Sequence, residues 1–214
     1  MNLTMDIGQP AKGASFTSVD QKKRVFFLRM LSTALGLALL ASQSGWSTSV
    51  QSSLWWAGLA FGTICLFGRI WSILYIGPVK SLELVRNGPF AMTRNPLYFF
   101  SSIGAAGIGL MFGSIGAAVL LFALAAQIFA ITARKEERFL DRRFGTAYRD
   151  YCRVTPRFWL NPLRFNLNRN LHLDAASIGR TLVDGMWFLA PLPIVVLLND
   201  LHLHGVVAAL FTLY

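Results

Sequence analysis

The chain has 214 residues, a net charge of +10, 54% hydrophobic residues and only 14% charged ones. A soluble domain carries about 25% charged residues, so this composition excludes an ordinary soluble globular domain and points to an integral membrane protein whose backbone polar groups pair inside helices. The length suits one domain, residues 1–214, and the two cysteines, Cys65 in an apolar run and Cys152 in a basic one, lack the spacing of a disulfide framework or a zinc site.

Residues 1–24 are a polar segment ending in Lys22-Lys23-Arg24. The first apolar stretch runs from Val25 to Ser42. Its basic start and small-residue end resemble a signal peptide, but the long leader and long apolar region fit a retained span better. The second stretch, Leu54 to Ile76, carries Gly58 and Gly62 at a spacing that lets helices approach closely in lipid. It also carries Arg69. A charge at that depth either snorkels or faces the bundle interior, and the second option makes Arg69 a candidate substrate-binding residue.

Gly88-Pro89 then opens a turn. Pro96 starts the next helix, where its missing N–H costs nothing, and it pushes Asn95 out of helical geometry. That frees the Asn95 amide to cap the helix or bind a ligand. The unpaired N–H groups at this helix start and the forked donors of Arg94 favour an anion such as a carboxylate. The plainer reading is interfacial anchoring, with Arg94 at headgroups and Tyr98 in an aromatic belt.

Leu97 to Phe112 and Ile115 to Ala133 form an apolar hairpin with Gly113-Ser114 at its tip. The first arm is short of the roughly 20 residues a span needs. Gly104-x-x-Gly107-x-Gly109 lies inside this apolar helix with no strand before it, so it reads as helix packing and not as a nucleotide loop. Glu136 and Glu137 follow. Glu136, Leu140 and Phe144 share one helix face, Gly145 ends the helix, and Tyr148, Tyr151, Pro156 and Arg157 come next. The two acids sit among eight Lys and Arg between Arg134 and Arg157. They either form solvated ion pairs, worth little, or turn inward to hold a cation. Arg157 is a second substrate-binding candidate.

Residues from Leu163 to Asp184 read as a basic, partly amphipathic stretch lying on the membrane or covering the site. The last apolar segment, Met186 to Leu213, is interrupted by Pro191, Pro193 and the polar run Asn199 to His204, and is expected to be one kinked helix, with two half-length pieces as the alternative. His202 and His204 fall on different sides of a helix, which argues against a metal pair. The fold is thus expected to be all-α, a polytopic membrane bundle of about five transmembrane helices without a Rossmann domain. Its parts are a cytoplasmic segment 1–24, a four-helix core 25–133, a cytoplasmic closing segment 134–185 and a C-terminal membrane segment 186–214. Lys and Arg give the orientation. Five lie at or before Arg29, three between the second and third spans, eleven from Arg134 to Arg180, and none in the loop 43–53 or the hairpin tip. By the positive-inside rule the N-terminus, the Gly-Pro turn and the Glu-Glu segment share the cytoplasmic face, in the inner membrane if the source is bacterial.

In order and spacing, these motifs resemble the isoprenylcysteine carboxyl methyltransferase and phospholipid methyltransferase superfamily of membrane enzymes. Its pattern is approximately Gly-Pro-Tyr-Arg-Tyr-x-Arg-His-Pro-x-Tyr, a helical hairpin, Glu-Glu-x-x-Leu, Phe-Gly-x-x-Tyr-x-x-Tyr and Pro-Arg. The resemblance implies S-adenosylmethionine as cofactor, S-adenosylhomocysteine as product and no metal. It implies a cofactor site lined by Arg94, Asn95, Pro96 and Tyr98 on one side and by Glu136, Glu137, Tyr148 and Tyr151 on the other. Asn95, Tyr98 and Glu136 are the catalytic candidates. The partners expected are the lipid bilayer and a lipophilic small-molecule or lipid substrate, with no nucleic acid. Phe90, Ala91, Met92 and Asn95 depart from the family pattern. Asn95 stands where the family has His and cannot accept a proton at neutral pH. The favoured acceptor is therefore an already anionic O or S nucleophile, such as a prenylcysteine-like carboxylate. Phospholipid N-methylation and a non-catalytic membrane module that kept the fold are the alternatives.

Overall fold

The computed structural model describes residues 37–38, 42–76, 83–167, 175–203 and 211–214, and those from 42 onward belong to a unit spanning Ala41–Tyr214. The polar N-terminal segment and nearly all of the first expected span lie outside the described residues. The unit contains α1 (Thr48–Ile76), α2 (Pro89–Met92), α3 (Pro96–Met111), α4 (Ile115–Phe144), α5 (Thr146–Val154), a 3-10 turn (Pro162–Arg164), α6 (Ala175–Met186) and α7 (Pro191–Leu203). Two three-residue strands, β1 (Ser42–Ser44) and β2 (Phe211–Leu213), pair in parallel and are the exception to an all-helical unit.

Three helical segments among the described residues are long and apolar enough to cross a membrane: α1, α4 and Ala175–Leu198. The expected number was about five. One of the missing spans falls outside the described residues, and the other is α3, an apolar helix of 16 residues. The last apolar segment also begins earlier than expected, at Ala175 and not Met186, and so takes in the end of the stretch read as amphipathic and cytoplasmic. A turn at 187–190, just ahead of Pro191, divides it into α6 and α7. Phe188 N–H bonds the Gly185 carbonyl and Leu189 N–H the Met186 carbonyl in a tight turn. Pro191, with no N–H of its own, then restarts the helix.

Small residues explain how α1 and α3 pack. The buried face of α1 is Gly58, Gly62, Cys65, Gly68, Ser72 and Tyr75, at helical spacing. It meets the buried Phe100, Gly104, Gly107 and Met111 of α3. A Cβ on Gly58 would stand 2.7 Å from the Gly107 carbonyl oxygen, so the two backbones are nearly in contact. In lipid, where burying apolar surface gains little between helices, such close packing is a main source of association. Gly104, Gly107 and Gly109 are thus packing positions, as the sequence suggests. Gly113 sits at φ 69° at the hairpin tip, a conformation glycine adopts without the steric cost other residues meet. Ser114 then caps α4 by accepting from the Ala117 N–H at 3.1 Å.

α3 and α4 run back from this tip to the opposite end of the unit. There α4 continues past its apolar part, carries Glu136 and Glu137, and stops at Gly145, which has φ 53°. α5 follows with Tyr148 and Tyr151 three apart on its buried face.

Candidate functional site

The two polar segments flanking the hairpin are joined by a third stretch, residues 155–166, that lies along the first. Arg94 N–H donates to the Pro156 carbonyl at 2.8 Å, Asn161 N–H to the Met92 carbonyl at 2.9 Å, and Gly88 N–H to the Asn166 carbonyl at 2.9 Å. The Asn95 side-chain amide donates to the Arg157 carbonyl at 2.9 Å. Asn95 therefore makes no side-chain cap to α3. Its amide anchors the return stretch, which corrects the expectation of a free amide at this helix start. Tyr151 fixes the other side by donating its hydroxyl to the Phe90 carbonyl at 2.6 Å.

Charge completes the joint. The Glu137 carboxylate pairs with Arg94 (Nη1 to Oε1, 3.1 Å) and with Arg157 (Nη2 to Oε2, 2.8 Å). Glu137 and Arg94 expose only 12% and 14% of their side chains, so this is a largely desolvated pair. Breaking such a pair costs more than making it gains, because the surviving charge is left unpaired. Burial opposes the charge on Arg94 most strongly, but the Glu137 carboxylate together with Cys152 and Tyr148 outweighs it and holds the guanidinium pKa above its ordinary value. The Arg94 Nε is buried and has no hydrogen-bond partner among the described residues. Glu136 takes the other direction and accepts from the Tyr98 hydroxyl at 2.8 Å. Tyr98 in turn stacks on Phe129 with ring centroids 5.0 Å apart.

These groups border one cavity of about 370 Å³. Of the ten residues singled out from sequence, nine line it: Arg69, Arg94, Asn95, Pro96, Tyr98, Glu136, Glu137, Tyr148 and Tyr151. Arg157 does not. Its guanidinium pairs with Glu137 through Nε and Nη2 and so braces the cavity wall. The cavity also takes in residues the sequence reading passed over: Glu83 to Val85 ahead of the turn, Phe139 beside Leu140 on α4, and Thr181 and Asp184 on α6. The first group carries no motif. The α6 pair could have been suspected only from an acid inside an otherwise apolar helical pattern.

Tyr148 and Tyr151 are both buried. Burial first, and then the Glu137 charge for Tyr148 and Tyr148 itself for Tyr151, push both phenols above the ordinary tyrosine range. The folded chain thus keeps protons that the unfolded chain gives up above about pH 10. The stability this contributes is complete below that pH and is lost as pH climbs through the folded values. In detergent, the thermal midpoint of the wild type is expected to fall more steeply above pH 10 than that of Tyr151→Phe. Parallel slopes would show that the phenol is not held in this way.

A model of the phospholipid methyltransferase family matches residues 31–147. The chain is also 32% identical over 192 residues to the nickel-cobalt-cadmium resistance protein NccN of Alcaligenes xylosoxydans xylosoxydans, covering 88% of each chain. It is 30% identical over 193 residues to the cobalt-zinc-cadmium resistance protein CzcN of Cupriavidus metallidurans, covering 90% of this chain and 89% of that one. No solved structure matches it significantly. The family match spans α1, the Gly-Pro turn, the α3–α4 hairpin and the Glu-Glu segment, and with three helices of membrane-crossing length it places this chain in the phospholipid methyltransferase family of integral membrane proteins.

Proposed function

We propose that the cavity binds S-adenosylmethionine and that the chain transfers its methyl group to a lipophilic acceptor at the membrane face bearing the motifs, the cytoplasmic face by charge distribution. One observation carries this reading: residues separated by an apolar hairpin, Arg94 to Tyr98 and Glu136 to Glu137, border a single cavity of about 370 Å³, within the range of about 300–1,000 Å³ typical of small-molecule sites. The residues suit the cofactor's zwitterionic end. The unpartnered Arg94 Nε offers a donor for its carboxylate. Glu136, engaged by the neutral Tyr98 hydroxyl, is the acid available to its ammonium. Glu137, held by two guanidinium groups, fixes the walls instead.

When bound, the cofactor supplies an electrophilic methyl on a sulfonium with a neutral leaving group. The protein's part is then to align the acceptor and exclude water. Asn95, which lines the cavity where the family pattern has His, cannot take up a proton at neutral pH, which favours an acceptor that arrives as an anion, such as a prenylcysteine-like carboxylate. The family description favours a second reading, N-methylation of a phospholipid of the phosphatidylethanolamine type. The relatives' names suggest the setting for this chain: growth under nickel, cobalt, zinc or cadmium, where a methylated lipophile is the product to seek.

The test is calorimetric titration of the detergent-purified chain with S-adenosylhomocysteine. Saturable binding is expected, weakened at least tenfold by Arg94→Ala, as suits the loss of a charge-assisted contact of about 1.5–3 kcal/mol. A wild type that binds none of it overturns the reading.

A further inference from the structure

We infer that Arg69 holds the anionic carboxylate or phosphate of an amphiphilic acceptor, with Asp184 of α6 as a displaceable latch; this rests on the reading above. Arg69 lines the same cavity as the motif residues but approaches it from α1, and Thr181 and Asp184 face it from α6. It is a charge within a membrane-length helix, so leaving it poorly paired is costly. Yet its partners are few. Nη1 donates to the Ser101 hydroxyl at 2.6 Å. Nη2 reaches the Asp184 carboxylate only at 3.8 Å, and that carboxylate is 68% exposed. A pair so long and wet contributes little. Cζ lies 6.0 Å from the Phe188 ring centroid, at the outer limit of a cation–π contact. Nε is buried without a hydrogen-bond partner among the described residues. A guanidinium has five donors in a fork that matches two oxygens of one anion. Arg69 therefore keeps donors in hand.

The surroundings name the kind of ligand. Ile73, Ile76 and Leu97 line the cavity near this arginine, so the anion it accepts would carry an apolar body. Four lining groups lie beyond residues 31–147, the part matched by the family model: Tyr148 and Tyr151 directly after it, and Thr181 and Asp184 on α6, well past it. The acceptor end of the cavity is thus completed by a helix outside the family core, as expected of a specificity element.

The experiment measures equilibrium binding to the full chain in neutral detergent of oleate, lysophosphatidic acid, lysophosphatidylcholine and inorganic phosphate, alongside S-adenosylhomocysteine. The two anionic amphiphiles are expected to bind about tenfold tighter than the zwitterionic one, with inorganic phosphate too weak to compete. Arg69→Gln should reduce that preference to under about twofold and leave S-adenosylhomocysteine binding intact, while Asp184→Asn should tighten the anionic amphiphiles about threefold by removing the competing carboxylate. A preference that survives Arg69→Gln, anionic amphiphiles weakened by Asp184→Asn, or inorganic phosphate competing as well as the amphiphiles would each overturn the proposal. Should Arg69→Gln not fold, the exposed Asp184→Asn decides alone. Failure of S-adenosylhomocysteine to bind the wild type would sink the cofactor reading, and with it the ligand's role as methyl acceptor, whereas the anion site at Arg69 stands or falls on the amphiphiles.

Discussion

Glu137→Gln is expected to lower the thermal midpoint by about 5–10 °C and to weaken S-adenosylhomocysteine binding at least thirtyfold, although Glu137 need not touch the cofactor. The reason is its place at the centre of three segments. Its carboxylate takes Arg94 from the turn before α3 and Arg157 from the return stretch after α5. Gln keeps the shape but gives up the charge, leaving the Arg94 guanidinium largely buried beside a neutral group. Losing one partner of a desolvated pair costs about 3 kcal/mol or more, because the penalty is the stranded charge. At about 2–4 °C per kcal/mol for a chain of this size, several degrees follow. Arg157→Ala should do less, since 48% of that side chain is already exposed. A double-mutant cycle between residues 94 and 137 should return a coupling of about 1–3 kcal/mol. Wild-type affinity in Glu137→Gln, or a coupling near zero, would mean that the cavity walls do not depend on this joint.

That role was not visible in the sequence, whereas the neighbourhood was. Two acids after an apolar helix are legible as half of a site from their order and spacing after the hairpin, although solvated ion pairs would leave the same trace. Which of the two turns toward a ligand depends on helix phase and on partners distant in the chain. Arg157 lies 20 residues further on and closes on Glu137 only because α5 turns the chain back. The partner of Asn95 was hidden for the same reason. Its local geometry before Pro96 frees the amide, but what that amide then meets is the Arg157 carbonyl, 62 positions away. Local rules served well where the determinants are local: the Gly113 tip, the Gly145 stop and the small-residue faces of α1 and α3. They gave no sign of how α6 packs: the helix sets Thr181 and Gly185 toward α1, leaves Leu182, Val183 and Met186 exposed, and presents Asp184 to Arg69.

The second large effect concerns the acceptor. The purified chain is expected to methylate a carboxylate-bearing lipophile at least a hundredfold faster than phosphatidylethanolamine, with kcat/KM for the carboxylate nearly constant from pH 6.5 to 8.5. Methyl transfer needs a lone pair on the attacking atom. A carboxylate titrates near pH 4 and offers one throughout that range, whereas an alkylammonium titrates near pH 10 and must first lose a proton. A side chain that took this proton would have to be basic near neutral pH. Asn95 has no such form, and its amide is already committed to the Arg157 carbonyl. Tyr98 donates to Glu136, and Tyr148 and Tyr151 hold their protons more tightly than free phenols. An unassisted amine would therefore show a rate rising about tenfold per pH unit, set by its free-base fraction. Phosphatidylethanolamine turned over at a comparable rate, with a profile that levels near neutrality, would require a base in the cavity. Glu136 would then be the group to examine, by Glu136→Gln, for loss of that plateau with cofactor affinity measured in parallel.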